Sequence, residues 1–342
     1  MRRRLLATLL FSAVAFMAAA CGDDGDATFD AQADTGATTT VQVADVPEGR
    51  GVVTENEDGT RTVSSAWGTV TVPAEPKRIV SVLGYIDFES MVALGVTPLA
   101  AGTQGGTVQS GFAPHLDGLT EGVQPLPWVG GAPAEAIAAL EPDLIFAPDA
   151  ESAELLADIA PTVPAGAVVE GWKDDFRYIA AVLGRDEEGA RLLEEYEADA
   201  AQLRDRLAPV LAGRTVASPQ VAYDHTQVYV DGRDAFSSEV LTELGVMLAP
   251  MVTEAATGEN VAVSLERLPE IDADILFWQV RQRDKDGRRD IAGLDLVKKS
   301  PLWNRIPAVA AGTVFEVDNR PWYFSTILAA RRMLDDVEQA LL

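Results

Sequence analysis

An α/β protein of two similar lobes joined by a long α-helix is what the sequence predicts. Three observations carry this. Strand-like and helical patterns alternate between residues 78 and 147, an amphipathic run from Asp186 to Ala208 is long for a crossover helix, and elements of the first half return in order after that run.

From the amino terminus, Arg2, Arg3 and Arg4 precede an apolar run from Leu5 to Met17, then Ala18, Ala19, Ala20 and Cys21. A basic start, a greasy stretch and small residues where a peptidase must approach are the layout of a secretory signal. The run falls short of the ~20 apolar residues a membrane-crossing helix needs, so its removal is expected. Cys21 is the single cysteine of the chain, which rules out an intramolecular disulfide. Its position directly after the small residues resembles a bacterial lipobox. Residues 1–21 are therefore expected to be a lipoprotein signal, with a lipid on Cys21 anchoring the mature protein to the cell membrane, outside the cytoplasm.

Residues 22–60 are rich in Asp, Thr, Gly and Ala, and the acidic residues from Asp23 to Asp58 face one base, Arg50. Such a stretch buries too little apolar surface to offset its ordering entropy and is expected to be a flexible acidic tether. The whole chain, 342 residues with a net charge of −26 and pI near 4.3, is a poor partner for nucleic acid or anionic lipid headgroups.

The first α/β lobe is expected over residues 61–172. Arg78–Leu83 is a short β-branched run, a helix follows through Glu89 to Leu94, and Gly95 stands where a helix ends in the left-handed conformation. Val96–Ala100 restarts a strand; Ala134–Leu140 is helical, Glu141-Pro142-Asp143 is a turn, and Leu144–Ala147 is a strand. This rhythm predicts βαβ units on a parallel sheet.

A connecting segment is expected over residues 173–210. Asp174–Leu183 can form one helix, and Asp186 offers an N-cap to a longer one, with Leu193, Tyr196, Ala200, Leu203 and Leu207 at three- and four-residue steps. From Asp186 to Ala208 it would extend about 35 Å at 1.5 Å per residue. Residues 211–342 then repeat the first lobe. Val221–Tyr223 and Val228–Val230 read as strands, the helix Ser238–Leu244 stops at Gly245, and LPEIDADILF near 270 echoes AIAALEPDLIF near 140. DFESMVALGV at 87–96 and SSEVLTELGV at 237–246 each set a glutamate, Glu89 and Glu239, six residues before a Gly-Val pair. Two similar Rossmann-like lobes follow from two matched pairs in the same order.

PAEPKRIVS at 73–81, ESMVALGV at 89–96, AALEPDLI at 138–145, SPLW at 300–303, PAVAAGTVF at 307–315 and LAARRMLDDV at 328–337 together resemble the helical-backbone substrate-binding proteins of ABC importers for ferric siderophores and vitamin B12. The resemblance runs over roughly residues 60–342 and implies the rest of the reading. The connecting helix would be rigid, ligand would lie in the cleft between the lobes, and closure would be small. A lipid-anchored monomer would capture a ferric siderophore and deliver it to an ABC permease dimer served by separate ATPase subunits. Iron would stay inside its chelator, so neither enzymatic chemistry, a cofactor nor metal ligands from the protein are expected. One exposed glutamate per lobe would dock on permease arginines. Glu89 matches in the first lobe; the internal repeat selects Glu239 in the second, with Glu243, one helical turn on, as its competitor.

For the cleft, an oxygen-rich and often anionic chelate calls for aromatic walls and guanidinium or amide donors. Tyr85, Trp128, Arg281, Arg320, Trp322 and Tyr323 are the expected ligand contacts; Gln104, Tyr223, Trp278 and Arg283 also fall at strand ends or in the loops that follow. No GxxxxGK[ST], GxGxxG or GxSxG motif is present. The two histidines, His115 and His225, are too few for a multi-histidine metal receptor, although His225 could serve as a cleft donor or haem ligand. A cobalamin or haem receptor of the same fold, or an exported enzyme or structural lipoprotein built on it, are the alternatives.

Overall fold

The computed structural model describes residues 51–84, 86–103, 112, 114–127, 133–166, 171–256, 258–281 and 291–342. Cys21, Tyr85, Gln104, Trp128 and Arg283 lie outside the described residues.

The first described residues correct the tether boundary. Strands β1 (Gly51–Glu55), β2 (Arg61–Ser65) and β3 (Gly68–Val72) form an antiparallel three-stranded sheet, so order begins by Gly51 and not after residue 60. Val63 and Val72 are buried, with Val53 and Val70 packed against the same core, which gives this short meander an apolar face. Its first turn is closed by Gly59 in the left-handed region (φ +81°), with the Asn56 side chain bonded to the Thr60 and Thr62 hydroxyls.

The first lobe is a five-stranded, all-parallel sheet. Its elements run β4 (Ile79–Ser81), α1 (Ile86–Ala93), β5 (Ala100–Gly102), β6 (Gln124–Leu126), α2 (Ala134–Ala138), β7 (Leu144–Ala147), α3 (Ala150–Leu156) and β8 (Thr162–Pro164), with strand order β6-β5-β4-β7-β8. β7 falls on the expected residues. β5 starts only at Ala100, because Val96 is still engaged in ending α1, its N–H donating to the Met91 carbonyl at 2.8 Å.

Two helices leave this lobe, α4 (Trp172–Val182) and α5 (Asp186–Leu211). The 26 residues of α5 correspond to about 39 Å. Asp186 is its first residue and not its cap; Arg185 precedes it without a capping side chain. Leu193, Tyr196, Ala200, Leu203 and Leu207 are all buried, as the spacing predicts, and each such leucine contributes roughly 2 kcal/mol relative to exposure.

In the second lobe β9 (Thr215–Ala217) and β10 (Pro219–Val221) run parallel to β14 (Ile275–Val280), which carries β15 (Val314–Asp318) parallel on its other side. Helix α6 (Phe236–Glu243) leads into β12 (Met247–Leu248), parallel to β9, as α1 leads from β4 into β5. The predicted repeat is therefore present in backbone and order, down to Gly95 (φ +72°) and Gly245 (φ +74°) ending the paired helices. The second lobe adds β11 (Gln227–Val230), antiparallel to β10, and β13 (Val261–Ser264), antiparallel to β11, with α7 (Pro250–Thr253), and a 3-10 turn at Leu265–Glu270 where the first lobe has α2. After β14 come α8 (Ile291–Lys298) and α9 (Pro307–Ala311), and β15 runs into α10 (Asn319–Tyr323) and α11 (Ile327–Leu341).

One hydrophobic cluster runs through both lobes. It joins Met91, Phe146 and Phe176 of the first lobe to Tyr196 and Leu207 of α5, to Val240 and Phe277 of the second lobe, and to Met333 and Val337 of α11. Helix α11 packs on α1 and α4 as well as on α5, α6 and α10, so residues 211–342 are not a self-contained lobe as expected from the repeat. A close-packed interior that spans the junction resists hinge bending.

Candidate functional site

In α/β proteins ligands bind outside the carboxyl ends of the parallel strands. In the first lobe the segments after β5, β6 and β8 fall largely outside the described residues. In the second lobe the described strand ends bring polar groups together. Gln220 comes from β10, Asp231 follows β11, Gln279 is on β14, Arg281 follows it, and Asn319 and Arg320 open α10. The Asn319 amide donates to Gln279 Oε1 (2.8 Å) and Gln220 Oε1 (3.2 Å), and Arg281 Nη2 donates to Gln220 Oε1 (3.4 Å). The Arg281 guanidinium carbon lies 3.4 Å from the centre of the Tyr223 ring, a stacked cation–π pair whose tyrosine is 86% exposed. Beneath them Asp231 is buried, and desolvation pushes its carboxyl up to about 6 against the hydrogen bonds that favour its charge.

Arg320 is 8% exposed. Burial lowers its pKa, against the opposing charges of Asp318 and Glu89. Among the described residues none accepts a hydrogen bond from its guanidinium, whose planar fork suits carboxylate or other oxyanion ligands. Arg281, Arg320 and Tyr323 (52% exposed) remain candidate ligand contacts by their place in the second lobe, while Tyr85 and Trp128 lie outside the described residues.

Trp322 does not. It is 1% exposed, stacks on Phe277 (4.9 Å between ring centres, 29° between planes) and donates from Nε1 to Asp336 Oδ2 at 3.0 Å. Its ring is core, held by a residue of the last helix that no local pattern points to. Trp278 is likewise fully buried.

The matched glutamates part company. Glu89 is 2% exposed; its Oε1 is 3.0 Å from His115 Nε2, and its Oε2 accepts from Thr326 Oγ1 at 2.5 Å. Thr326 also caps α11, accepting from the Ala329 N–H at 3.1 Å. Helix α11 packs on α1, so Glu89, expected on a docking surface, is an internal strap between the lobes. Glu239 is exposed on α6, its carboxyl pushed up by desolvation and by the neighbouring Glu243. Glu243 is taken: it pairs with Lys173 Nζ at 2.9 Å and accepts from Tyr196 Oη at 2.8 Å.

Two concavities do not suit a chelate. A groove of about 700 Å³ between the meander and α3, away from the strand ends described above, presents Trp67, Glu154 and Asp158 beside the start of β8, with no cation; a void of about 10 Å³ lined by Gln279, Arg281, His225 and Trp278 holds at most one water. Among the described residues no group of three His, Cys, Asp or Glu could hold a metal ion, and no helix is long and apolar enough to cross a membrane.

Comparison with known proteins places the fold. The "Probable siderophore-binding lipoprotein YfiY" of Bacillus subtilis (strain 168) is 30% identical over 293 residues, covering 82% of this chain and 87% of its own length. The "Fe(3+)-citrate-binding protein YfmC" of the same organism is 29% identical over 279 residues, covering 78% of this chain and 81% of its own. Among solved structures, Staphylococcus aureus SirA complexed with staphyloferrin B superposes with a TM-score of 0.68 at 21% identity, over 82% of this chain and 98% of that one. The family model described as "Periplasmic binding protein" matches residues 80–321, from β4 to α10. Spanning both lobes and the helix between them, that match shows that the chain belongs to the periplasmic binding protein family and is a substrate-binding protein of the ABC-importer type.

Proposed function

We propose that this protein captures an anionic ferric siderophore outside the cytoplasm and hands it to an ABC permease. The observation that carries the reading is Arg320: a largely buried guanidinium with no hydrogen-bond acceptor among the described residues, just after β15 at the strand ends of the second lobe. A desolvated cation without an acceptor is costly unless an anion completes it. A ferric carboxylate or catecholate complex presents such oxygens, whereas a neutral ligand does not. Of the two Bacillus relatives, the name of one, Fe(3+)-citrate-binding, supports an anionic ferric chelate, and that of the other, siderophore-binding, supports a siderophore.

Capture needs no chemistry from the protein, because the chelator supplies the metal's ligands. Lipid on Cys21 would hold the protein at the membrane as a monomer, with the residues before Gly51 as its spacer. The permease is a dimer, so its docking surface wants the same feature twice. Glu89 and Glu239 do not offer this, since Glu89 is buried. Glu135 in the first turn of α2 and Glu266 in the 3-10 turn before β14 do: both are exposed, and both stand in the repeated helix–acidic turn–strand unit, one per lobe. These two glutamates take over the docking role. Exposed ion pairs contribute about 0–1 kcal/mol each and would set register more than affinity.

Tryptophan fluorescence titration of protein lacking residues 1–21 tests the ligand. Ferric citrate or a ferric tris-catecholate should quench at submicromolar concentration, and Arg320→Ala should weaken that binding by roughly thirtyfold. A response to neutral ferric hydroxamates, cyanocobalamin or haemin alone would overturn the anionic reading. Reversing Glu135 and Glu266 together to lysine should abolish uptake and leave binding intact; uptake that survives would remove them from the docking role.

A further inference from the structure

Asp231 is a buried carboxylate, 5% exposed. Its Oδ2 accepts from Ser237 Oγ (2.5 Å) and from Gln279 Nε2 (2.6 Å). Gln279 Nε2 donates to Ser218 Oγ as well (2.9 Å). An ionised carboxylate only accepts hydrogen bonds, so the Gln279 amide must turn its nitrogen inward. Its oxygen then faces outward. Gln279 Oε1 receives the Asn319 amide, which also donates to Gln220 Oε1, and Gln220 Oε1 receives Arg281 in turn.

We infer that Asp231 is a positioning residue for ligand recognition: it fixes the polarity of Gln279, which seats Asn319, and Asn319 in turn turns the Gln220 oxygen toward Arg281, stacked on Tyr223, at the rim of the second lobe. The geometry accounts for an otherwise costly choice. A carboxylate here is desolvated, and an apolar residue would pack at less expense. What an apolar residue cannot do is hold the Gln279 amide in one orientation. With that polarity reversed, two amide donors would meet at Asn319, the Gln220 oxygen would lose the donor that orients it, and the Arg281 guanidinium would shift off its place over Tyr223. Selectivity for an oxyanion then depends on a group that never touches the ligand.

The inference rests on the proposed function for its ligand, but not for its first readout. In ligand-free protein, NMR should detect the Tyr223 ring against the Arg281 side chain in the wild type. That contact should be lost in Asp231→Asn, which is nearly isosteric but brings an amide donor into the network. It should persist in Ser237→Ala, which removes a hydrogen bond to Asp231 without changing its polarity. In titrations with ferric citrate and a ferric tris-catecholate, Asp231→Asn should bind about tenfold more weakly. Added to Arg281→Ala it should cost nothing further, because both act through the same guanidinium. A purely structural role for Asp231 would add in full. Should Asp231→Asn not fold, Gln220→Met cuts the same link and carries the same expectations. The inference is overturned if the Tyr223–Arg281 contact survives in the variant, or if the two substitutions are additive. If the wild type binds neither chelate, the functional reading falls, and the ligand-free contact alone decides the role of Asp231.

Discussion

The two lobes carry the same helix with the same glutamate and opposite fates. Glu89 and Glu239 share a sequence spacing and a place in the βαβ path, yet one is sealed against His115 and Thr326 while the other faces solvent beside Glu243. The cause is not local. Helix α11 packs on α1 and its cap residue Thr326 bonds Glu89, whereas Glu239 on α6 stays exposed. An internal repeat therefore predicts backbone and order, whereas exposure is decided by what the rest of the chain lays on each copy.

Four measurements can break or sharpen that contrast. Glu89→Ala removes a buried acceptor from two partners and should lower the unfolding free energy by about 2–4 kcal/mol in urea titration. A change like that of a surface residue would mean that the strap does not hold. Next in size is the second lobe's own buried carboxylate. Asp231 is raised from 3.8 to about 6 on folding, so the folded state keeps its proton when the unfolded chain has lost it. Its contribution to stability is then greatest below about pH 4, declines as pH rises to about 6 and is flat above, a span of about 2–3 kcal/mol. The stability difference between wild type and Asp231→Asn, followed from pH 4 to 7, should trace that decline; a flat difference would contradict the desolvated environment.

Glu243→Ala should cost about 1–2 kcal/mol, since it removes one of the two carboxylates paired with Lys173 and the acceptor of the Tyr196 hydroxyl. Burial works against the Lys173 ammonium, and Glu243 and Glu197 outweigh it and raise its pKa; loss of Glu243 should therefore let it fall, as lysine-selective NMR would detect. Smallest of all, Glu239→Ala should change stability by no more than about 0.5 kcal/mol, toward stabilisation, because it relieves the repulsion from Glu243. A large loss there would restore the symmetry that the burial pattern denies.

Much of the fold is legible in the sequence where local pattern and tertiary packing agree. β7 matches its expected residues, the buried stripe of α5 matches its three- and four-residue steps, and the glycines after α1 and α6 end their helices. The meander was hidden by its own composition: Glu55, Glu57 and Asp58 make the first hairpin read as solvated chain, although Val53, Val63, Val70 and Val72 supply the alternating face that packs it. The candidate site is legible in residue type more than in arrangement. Arg281, Arg320 and Tyr323 are candidates by their place at or after strand ends. Trp322 looked identical to them, because its partner Asp336 is in another helix and its stacking partner Phe277 is on another strand. Asp231 carries no signal at all: a carboxylate after a strand reads as a turn residue until Gln220, Ser218, Ser237 and Gln279 are gathered round it.

Helix α11 has a consequence for how the molecule folds. Its 15 residues stand far along the chain from the first lobe, yet Met333 and Val337 share one core with Val63. The contacts that finish the first lobe's interior therefore span a long stretch of sequence and form slowly. Neither lobe closes its interior ahead of the other, so the two fold as one cooperative unit.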